Sequence, residues 1–210
     1  LRQRRGDRVL LFCGDGVGYD AQIDDPDPRA CGVSIRDIVE TEPPPRLRLH
    51  LGQAMIKGER LDFVLQKATE LGVTDIWLLE TERTEVRYAG SRIARRETHW
   101  HGIVRGAAEQ CRRLTLPVVH APVALHELLA QQCARQVLLL EPGAPPVDTL
   151  PAVDTLLLVG PEGGFSDAER ASTVASGARA MGMGKLILRA DTAPVAALTI
   201  LRHTWGWNAP

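Results

Sequence analysis

The chain has 210 residues, 44% of them hydrophobic and 24% charged, with a formal net charge of -1. That length suits one large domain or two small ones, and the composition excludes wholesale disorder. The longest apolar runs, such as Gln136–Leu140 and Thr155–Val159, are far too short to cross a bilayer, and a near-neutral balance names no partner.

The first fifty residues read as short strands. Residues 9–13 are apolar, residues 14–18 form a Gly/Asp turn, and residues 19–23 alternate. An acidic, Pro-containing loop follows at 24–28. Residues 33–39 and 46–51 alternate again, with Pro43, Pro44 and Pro45 between them. In the second of these runs Leu47, Leu49 and Leu51 share one face and Arg46, Arg48 and His50 the other, the pattern of a half-buried strand. This part reads as a small β-barrel or sheet.

From about Gly52 the period changes. Leu61, Val64, Leu65, Ala68 and Leu71 follow helical spacing, and Gly72 is a helix stop. Residues 75–79 read as a buried strand, 91–111 as a long helix and 125–133 as a shorter one. Gln136–Leu140 and Thr155–Val159 are continuous apolar strands of the kind buried on both faces. A helix at 167–176, a strand at 185–188 and a last helix at 194–207 complete the series. Strands alternating with helices predict an α/β fold with a mostly parallel sheet. Trp100, Trp205 and Trp207 read as core or interface residues.

Charge is unevenly placed. Residues 83–113 carry eight Arg against three Glu, while residues 114–176 carry two Arg against seven acids. The first stretch suits either a polyanion or a solvated helix face. Cys13, Cys31, Cys111 and Cys133 form no CxxC pair and have no His at ligand spacing, so no metal site is expected. Four scattered thiols and a basic start without an apolar stretch behind it fit a reducing, cytoplasmic setting. The chain opens on Leu1 rather than Met, as a piece of something longer would.

Chemistry concentrates where strands end. The segment LLLVGPEGGFSDAER runs from a buried strand through Gly160, Pro161, Glu162, Gly163 and Gly164 into a helix whose start is marked by the capping box Ser166 and Glu169. MGMGKLILRADT repeats the layout, with Asp191 or Thr192 as N-cap and Pro194 in the first turn. LLLEPG is the third such strand end. In open α/β sheets ligands bind beyond the carboxyl ends of the strands, so three such loops favour one small-molecule pocket over three structural turns. The Gly-rich loop is neither a P-loop nor GxGxxG.

GPEGGFSDAE followed by LRADTAPVAAL closely resembles the RsmE family, ribosomal RNA small-subunit methyltransferases of the SPOUT superfamily. KGERLDFVLQKATELGVTDIWLLETERTEVR and GAAEQCRRLTLPVV resemble two further segments of that family, in the same order, so the likeness covers nearly the whole chain. It implies a small PUA-like β-barrel over residues 1–45, incomplete at its N-terminus, and a SPOUT methyltransferase domain over 46–210. The second is an α/β domain with a deep trefoil knot that binds S-adenosylmethionine and dimerises. By the same likeness the substrate is a uridine of 16S ribosomal RNA, methylated at N3, within the small ribosomal subunit. The implied cofactor residues are Leu140 and Glu141 in the first loop, then Val159, Gly160, Pro161, Glu162 and Gly164 in the second. In the third they are Met183, Gly184, Ile187, Leu188 and Thr192.

Removing the N3 proton and stabilising the resulting anion calls for a carboxylate and an arginine. Glu162 or Glu109 fits the first role, and Arg83 or Arg189 the second. Each also has a structural reading as an ion-pair or network member. Arg2, Arg4, Arg5, Arg8, Lys67, Arg83, Gln110, Arg112 and Arg113 are candidate RNA contacts, although Lys67 and Glu70 lie three apart and suit a helix pair. The family's usual Glu before Thr-Ala is Asp191 here, its Arg after the third-loop Gly is replaced around Leu186, and its LG is Met183-Gly184. About thirty residues that open its barrel have no counterpart, judged from domain size. The alternatives are a SPOUT enzyme acting on another RNA, a non-catalytic RNA-binding protein and, more distantly, an anion-binding module.

Overall fold

The computed structural model describes residues 3–86, 91–147 and 149–206. The chain forms two compact units, one of Leu1–Pro44 with Ala108–Leu116, the other of Pro45–Ala107 with Pro117–Pro210.

The first unit is an antiparallel sheet of β1 (Arg8–Phe12), β2 (Val17–Asp25) and β3 (Gly32–Thr41), in that order. Val9, Ala21 and Ile35 line up across it on one face, and Arg8, Gln22 and Ser34 on the other. On the polar face Arg8 pairs with Asp20 at 2.7 Å. The segment 108–116 is fastened by Glu42. Its Oε2 accepts from the Leu114 and Thr115 amides at 2.7 and 2.9 Å, and its Oε1 accepts from the Thr115 hydroxyl at 2.8 Å.

The second unit is a six-stranded sheet, parallel at every pairing, in the order β6-β5-β4-β8-β7-β9. Its strands are β4 (Leu49–Ala54), β5 (Asp75–Glu80), β6 (Val118–Ala124), β7 (Gln136–Leu140), β8 (Thr155–Val159) and β9 (Arg179–Met181). The helices are α1 (Gly58–Glu70), α2 (Ser91–Cys111, whose last turn belongs to the first unit), α3 (Leu125–Ala130), α4 (Asp167–Ala175) and α5 (Thr192–Trp205). Leu156 and Leu158 of β8 pack with Leu125 and Leu128 of α3 and with Phe165. Alternation turns Leu157 to the other face, where α5 packs on β8 and α1 packs on α5. Helix α1 buries Leu61, Val64, Leu65 and Ala68, its apolar stripe, and Gly72 follows with φ +78°. Trp100 is fully buried, Trp205 donates to the Leu150 carbonyl at 3.1 Å, and Trp207 lies outside the described residues.

Three differences from the sequence reading have physical causes. The half-buried strand expected at 46–51 is β4, Leu49–Ala54, and it is buried at every position. It lies inside a parallel sheet covered on both faces, so His50 is enclosed rather than solvated. The strand expected at 185–188 is absent, and pairing with β7 is made by Arg179–Met181 instead. An edge strand, β6, was not foreseen. Pro122 interrupts its pattern, and it sits where the β5–β6 register shifts.

At the amino ends of β4, β5 and β6 lies a polar cluster. His120 Nε2 donates to Asp75 Oδ1 at 3.1 Å, and the His120 ring stacks on Trp77 with centroids 3.4 Å apart. His50 Nδ1 is 3.1 Å from Asp75 Oδ2, aligned too poorly for a hydrogen bond, so that contact is electrostatic. Burial opposes ionisation of Asp75, but contacts from His50, His120 and Thr74 outweigh it and hold the carboxyl well below the usual carboxylate range.

Candidate functional site

At the opposite, carboxyl ends of the strands a cavity of about 300 Å³ opens. It sits beside the point where the sheet order reverses, since β4 continues in sequence to β5 and β6 on one side and meets β8 on the other. Three loops wall it. From the end of β7 come Leu140, Glu141 and Pro142. From the end of β8 come Val159, Gly160, Pro161, Glu162, Gly163, Gly164 and Phe165. After β9 come Met183, Gly184, Leu186, Ile187, Leu188 and Ala190. Every expected cofactor residue lines this one cavity except Thr192, whose neighbour Ala193 does.

Local chemistry shapes each loop. The Gly164 amide donates to the Pro161 carbonyl at 2.8 Å, closing a tight turn that needs φ +66° at Gly164. Helix α4 then starts with the expected box, Ser166 Oγ accepting from Glu169 N at 3.1 Å and Glu169 Oε2 from Ser166 N at 2.8 Å. Glu169 Oε1 also accepts from Glu82 N at 2.9 Å, which ties the loop after β5 to the same helix start. Gly182 is a close approach: a Cβ there would stand 1.7 Å from the Ala144 carbonyl oxygen, so the loops after β7 and β9 touch through it. Beyond it Leu186 and Ile187 are 82% and 83% exposed while lining the cavity. Asp191 holds the N-cap position of α5 but makes no side-chain cap bond.

The charged groups divide clearly. Arg83 and Glu162 line the cavity. Arg83 Nη1 donates to the Gly163 carbonyl at 2.8 Å. Glu162 is 43% exposed and pairs with Arg60 of α1 at 3.2 Å. Arg189 is exposed and lies outside the wall, although Leu188 and Ala190 on either side belong to it. Glu109 is exposed, falls in the first unit and lines no part of the cavity. Arg60 and Arg170 had no signal in the sequence, because their partners Glu162 and Glu141 are distant along the chain. Arg170 Nη1 donates to Glu141 Oε1 at 2.7 Å and Arg170 also bonds Asp167. These hydrogen bonds, to Glu141 and then Asp167, push the guanidinium pKa above its ordinary value.

Among the candidate RNA contacts, Arg4, Arg5, Gln110 and Arg112 are exposed, and none of their side chains has a partner among the described residues. Arg8 is taken by Asp20, and Lys67 lies 2.8 Å from Glu70. Arg113 is half-buried and donates to the Thr115 hydroxyl at 3.1 Å. Arg2 lies outside the described residues. Among the described residues no group of three or more His, Cys, Asp or Glu is placed to hold a metal ion, and no helix is long and apolar enough to cross a membrane.

The cavity walls fit a nucleoside-bearing ligand. Leu140, Val159 and Leu188 are apolar, Glu141 is a fixed acceptor, and Gly164 and Gly184 present backbone with open space where a side chain would be. A family model described as an RNA methyltransferase domain matches residues 42–202. Ribosomal RNA small subunit methyltransferase E of Synechocystis is 34% identical over 94% of this chain and 66% of its own length. That of Buchnera aphidicola is 30% identical over 98% and 85%. Among solved structures, ribosomal RNA small subunit methyltransferase E from Neisseria gonorrhoeae, bound to S-adenosyl methionine, is 32% identical with a TM-score of 0.88, covering 99% of this chain and 87% of that one. A methyltransferase from Legionella pneumophila, also with the cofactor bound, is 34% identical with a TM-score of 0.92, covering 97% and 85%. Matching motifs, fold and cavity thus agree along nearly the whole chain, which belongs to the ribosomal RNA small subunit methyltransferase E family.

Proposed function

We propose that the chain transfers a methyl group from S-adenosylmethionine to N3 of a uridine in 16S ribosomal RNA, acting on the small ribosomal subunit as a cytoplasmic homodimer. The observation that carries this is the convergence of three strand-end loops on one cavity, in a chain whose relatives of like fold were solved with that cofactor. In this reading the C-terminal stretch forms the trefoil knot of SPOUT enzymes. The N-terminal sheet belongs to a PUA-like barrel that meets the RNA.

Leu140 and Glu141, the loop from Val159 to Gly164, and Met183, Gly184, Ile187 and Leu188 hold the cofactor, with Thr192 at the head of α5 behind them. Bound there, S-adenosylmethionine supplies a methyl group activated on a positively charged sulfur. Uridine N3 carries a proton at neutral pH and is a nucleophile only once that proton has gone. Glu162 accepts it, oriented by Arg60 on the same carboxylate. Arg83, fixed through its bond to the Gly163 carbonyl, has further N–H groups to stabilise the charge on a uracil oxygen. Glu109 and Arg189 are the second candidates for these two roles. Arg4, Arg5, Gln110 and Arg112, whose side chains are uncommitted, are the first candidates for RNA contacts, ahead of Arg8, Lys67 and Arg113.

The test is transfer of tritiated methyl groups to small ribosomal subunits taken from a strain that lacks this modification. Label at uridine N3 of 16S RNA is the expected result. Label in a different RNA would reassign the target, and RNA binding by a folded chain that neither binds the cofactor nor transfers a methyl group would reduce it to a non-catalytic RNA-binding protein.

A further inference from the structure

Lys57 and Glu85, beyond the carboxyl ends of β4 and β5, line no part of the cavity. Lys57 ends the link from β4 to α1, and its Nζ stands 2.9 Å from Glu85 Oε2, with the two side chains 70% and 73% exposed. Their backbones are held without the pair. Met55 and Ile56 are buried, the Met55 amide donates to the Leu79 carbonyl at 3.0 Å, and the Lys57 carbonyl accepts from the Arg60 amide at 3.1 Å. Ahead of Glu85 the Thr81 and Thr84 hydroxyls meet at 2.8 Å in a buried turn, while Glu82 is fastened to Glu169 and Arg83 to Gly163. A pair so exposed adds little stability, and neither loop needs it as a fastening.

The pair adjoins the reacting groups. Glu85 first, and then Glu162, push the Lys57 ammonium pKa up, against repulsion from Arg60, so these four charges act on one another. Arg60 is engaged by Glu162 and Arg83 by the Gly163 carbonyl, whereas Lys57 faces a solvated carboxylate. An ammonium on a flexible stem is a point charge that is re-aimed easily and suits a phosphate. A uridine seated over Glu162 brings its backbone phosphates with it, and counterion release from the RNA favours exchanging the carboxylate for one of them. We propose that Lys57 is the seat of a backbone phosphate beside the target uridine, and that Glu85 occupies this seat until RNA arrives. The proposal rests on the RNA methyltransferase reading above. The competing account is an ion pair that only ties the β4–α1 link to the loop after β5.

The two accounts differ in sign. The test is equilibrium binding of small ribosomal subunits that lack the modification, over a salt series, with each variant shown to be folded. Lys57→Ala should weaken binding about tenfold, the scale of one hydrogen bond to a charged group. It should also lower the slope of log affinity against log salt by about one. Lys57→Arg should retain the affinity. Glu85→Gln, which releases the ammonium, should strengthen binding about two- to fivefold, the worth of an exposed ion pair. That gain should vanish when Lys57 is already Ala. S-adenosylhomocysteine affinity should match wild type in every variant. Wild-type affinity and slope in Lys57→Ala, weaker binding in Glu85→Gln, or an equal gain from Glu85→Gln in both backgrounds would overturn the proposal. Subunit binding without methyl transfer by the wild type would overturn the function reading alone, since the binding comparisons still decide the phosphate seat. A folded wild type that does not bind subunits would overturn both.

Discussion

The two ends of the parallel sheet are built to opposite rules. At the amino end polar side chains close on one another: Asp75 takes His50 and His120, and Trp77 covers His120. At the carboxyl end they are held but left open: Glu162 is tethered by Arg60 and Glu141 by Arg170, yet both line a cavity with glycines at its turns. Strand direction produces this difference. Each βα connection leaves the carboxyl end, so the loops that can vary around a ligand gather there, while the amino end has only to be stable. The same residue types therefore serve binding at one end and folding at the other.

The largest effect that would break this comparison belongs to Glu162. Glu162→Gln should lower methyl transfer by about 10²–10⁴-fold, the usual worth of a general base, in protein that remains folded. Full turnover in this variant would pass the role to another carboxylate. At the amino end the sign reverses. Asp75→Ala leaves His120 without its acceptor and removes the carboxylate beside His50, and should cost roughly 2 kcal/mol of stability by denaturant unfolding, with cofactor affinity of the folded protein unaltered.

The smallest effect sharpens the same point through pH. The folded carboxyl of Asp75 is held well below its unfolded value of about 3.9. Its contribution is therefore complete above that value and is lost as pH falls from there through the folded pKa. Wild type should exceed Asp75→Asn in stability at pH 6, and the gap should narrow below about pH 4. A gap that widens on acidification would mean that the His contacts do not stabilise the ionised form.

How much of this was legible in the sequence follows from the range of the forces involved. The turn from Gly160 to Gly164 and the Ser166–Glu169 box are local, so their residues announce them, and the loop positions followed from the strands around them. Strand burial is a tertiary property. Leu47, Leu49 and Leu51 alternate, but the strand begins only at Leu49 and is covered on both sides, so alternation misled. The β-branched and aliphatic run near Leu186 looked like a strand, whereas Leu186 and Ile187 stand exposed over the cavity, because β propensity yields to what the sheet edge pairs with. The clamps Arg60–Glu162 and Arg170–Glu141 join residues 102 and 29 positions apart, and nothing short of the fold could have shown them.

The central claim is that the cavity at the carboxyl end of the sheet is the cofactor site. Blocking it through Gly160 would be ambiguous, since a Cβ there meets Gly164 and Phe165 backbone at 3.1–3.2 Å and would unseat the loop. Ala193 lines the cavity from the first turn of α5 and can be enlarged from the helix side. The most direct measurement is calorimetric titration of S-adenosylhomocysteine into wild type, Ala193→Trp and Asp75→Asn, each shown to be folded. Binding by wild type and Asp75→Asn, with loss of at least about a hundredfold in Ala193→Trp, is the predicted result. Equal binding by all three, or none by the folded wild type, would contradict it.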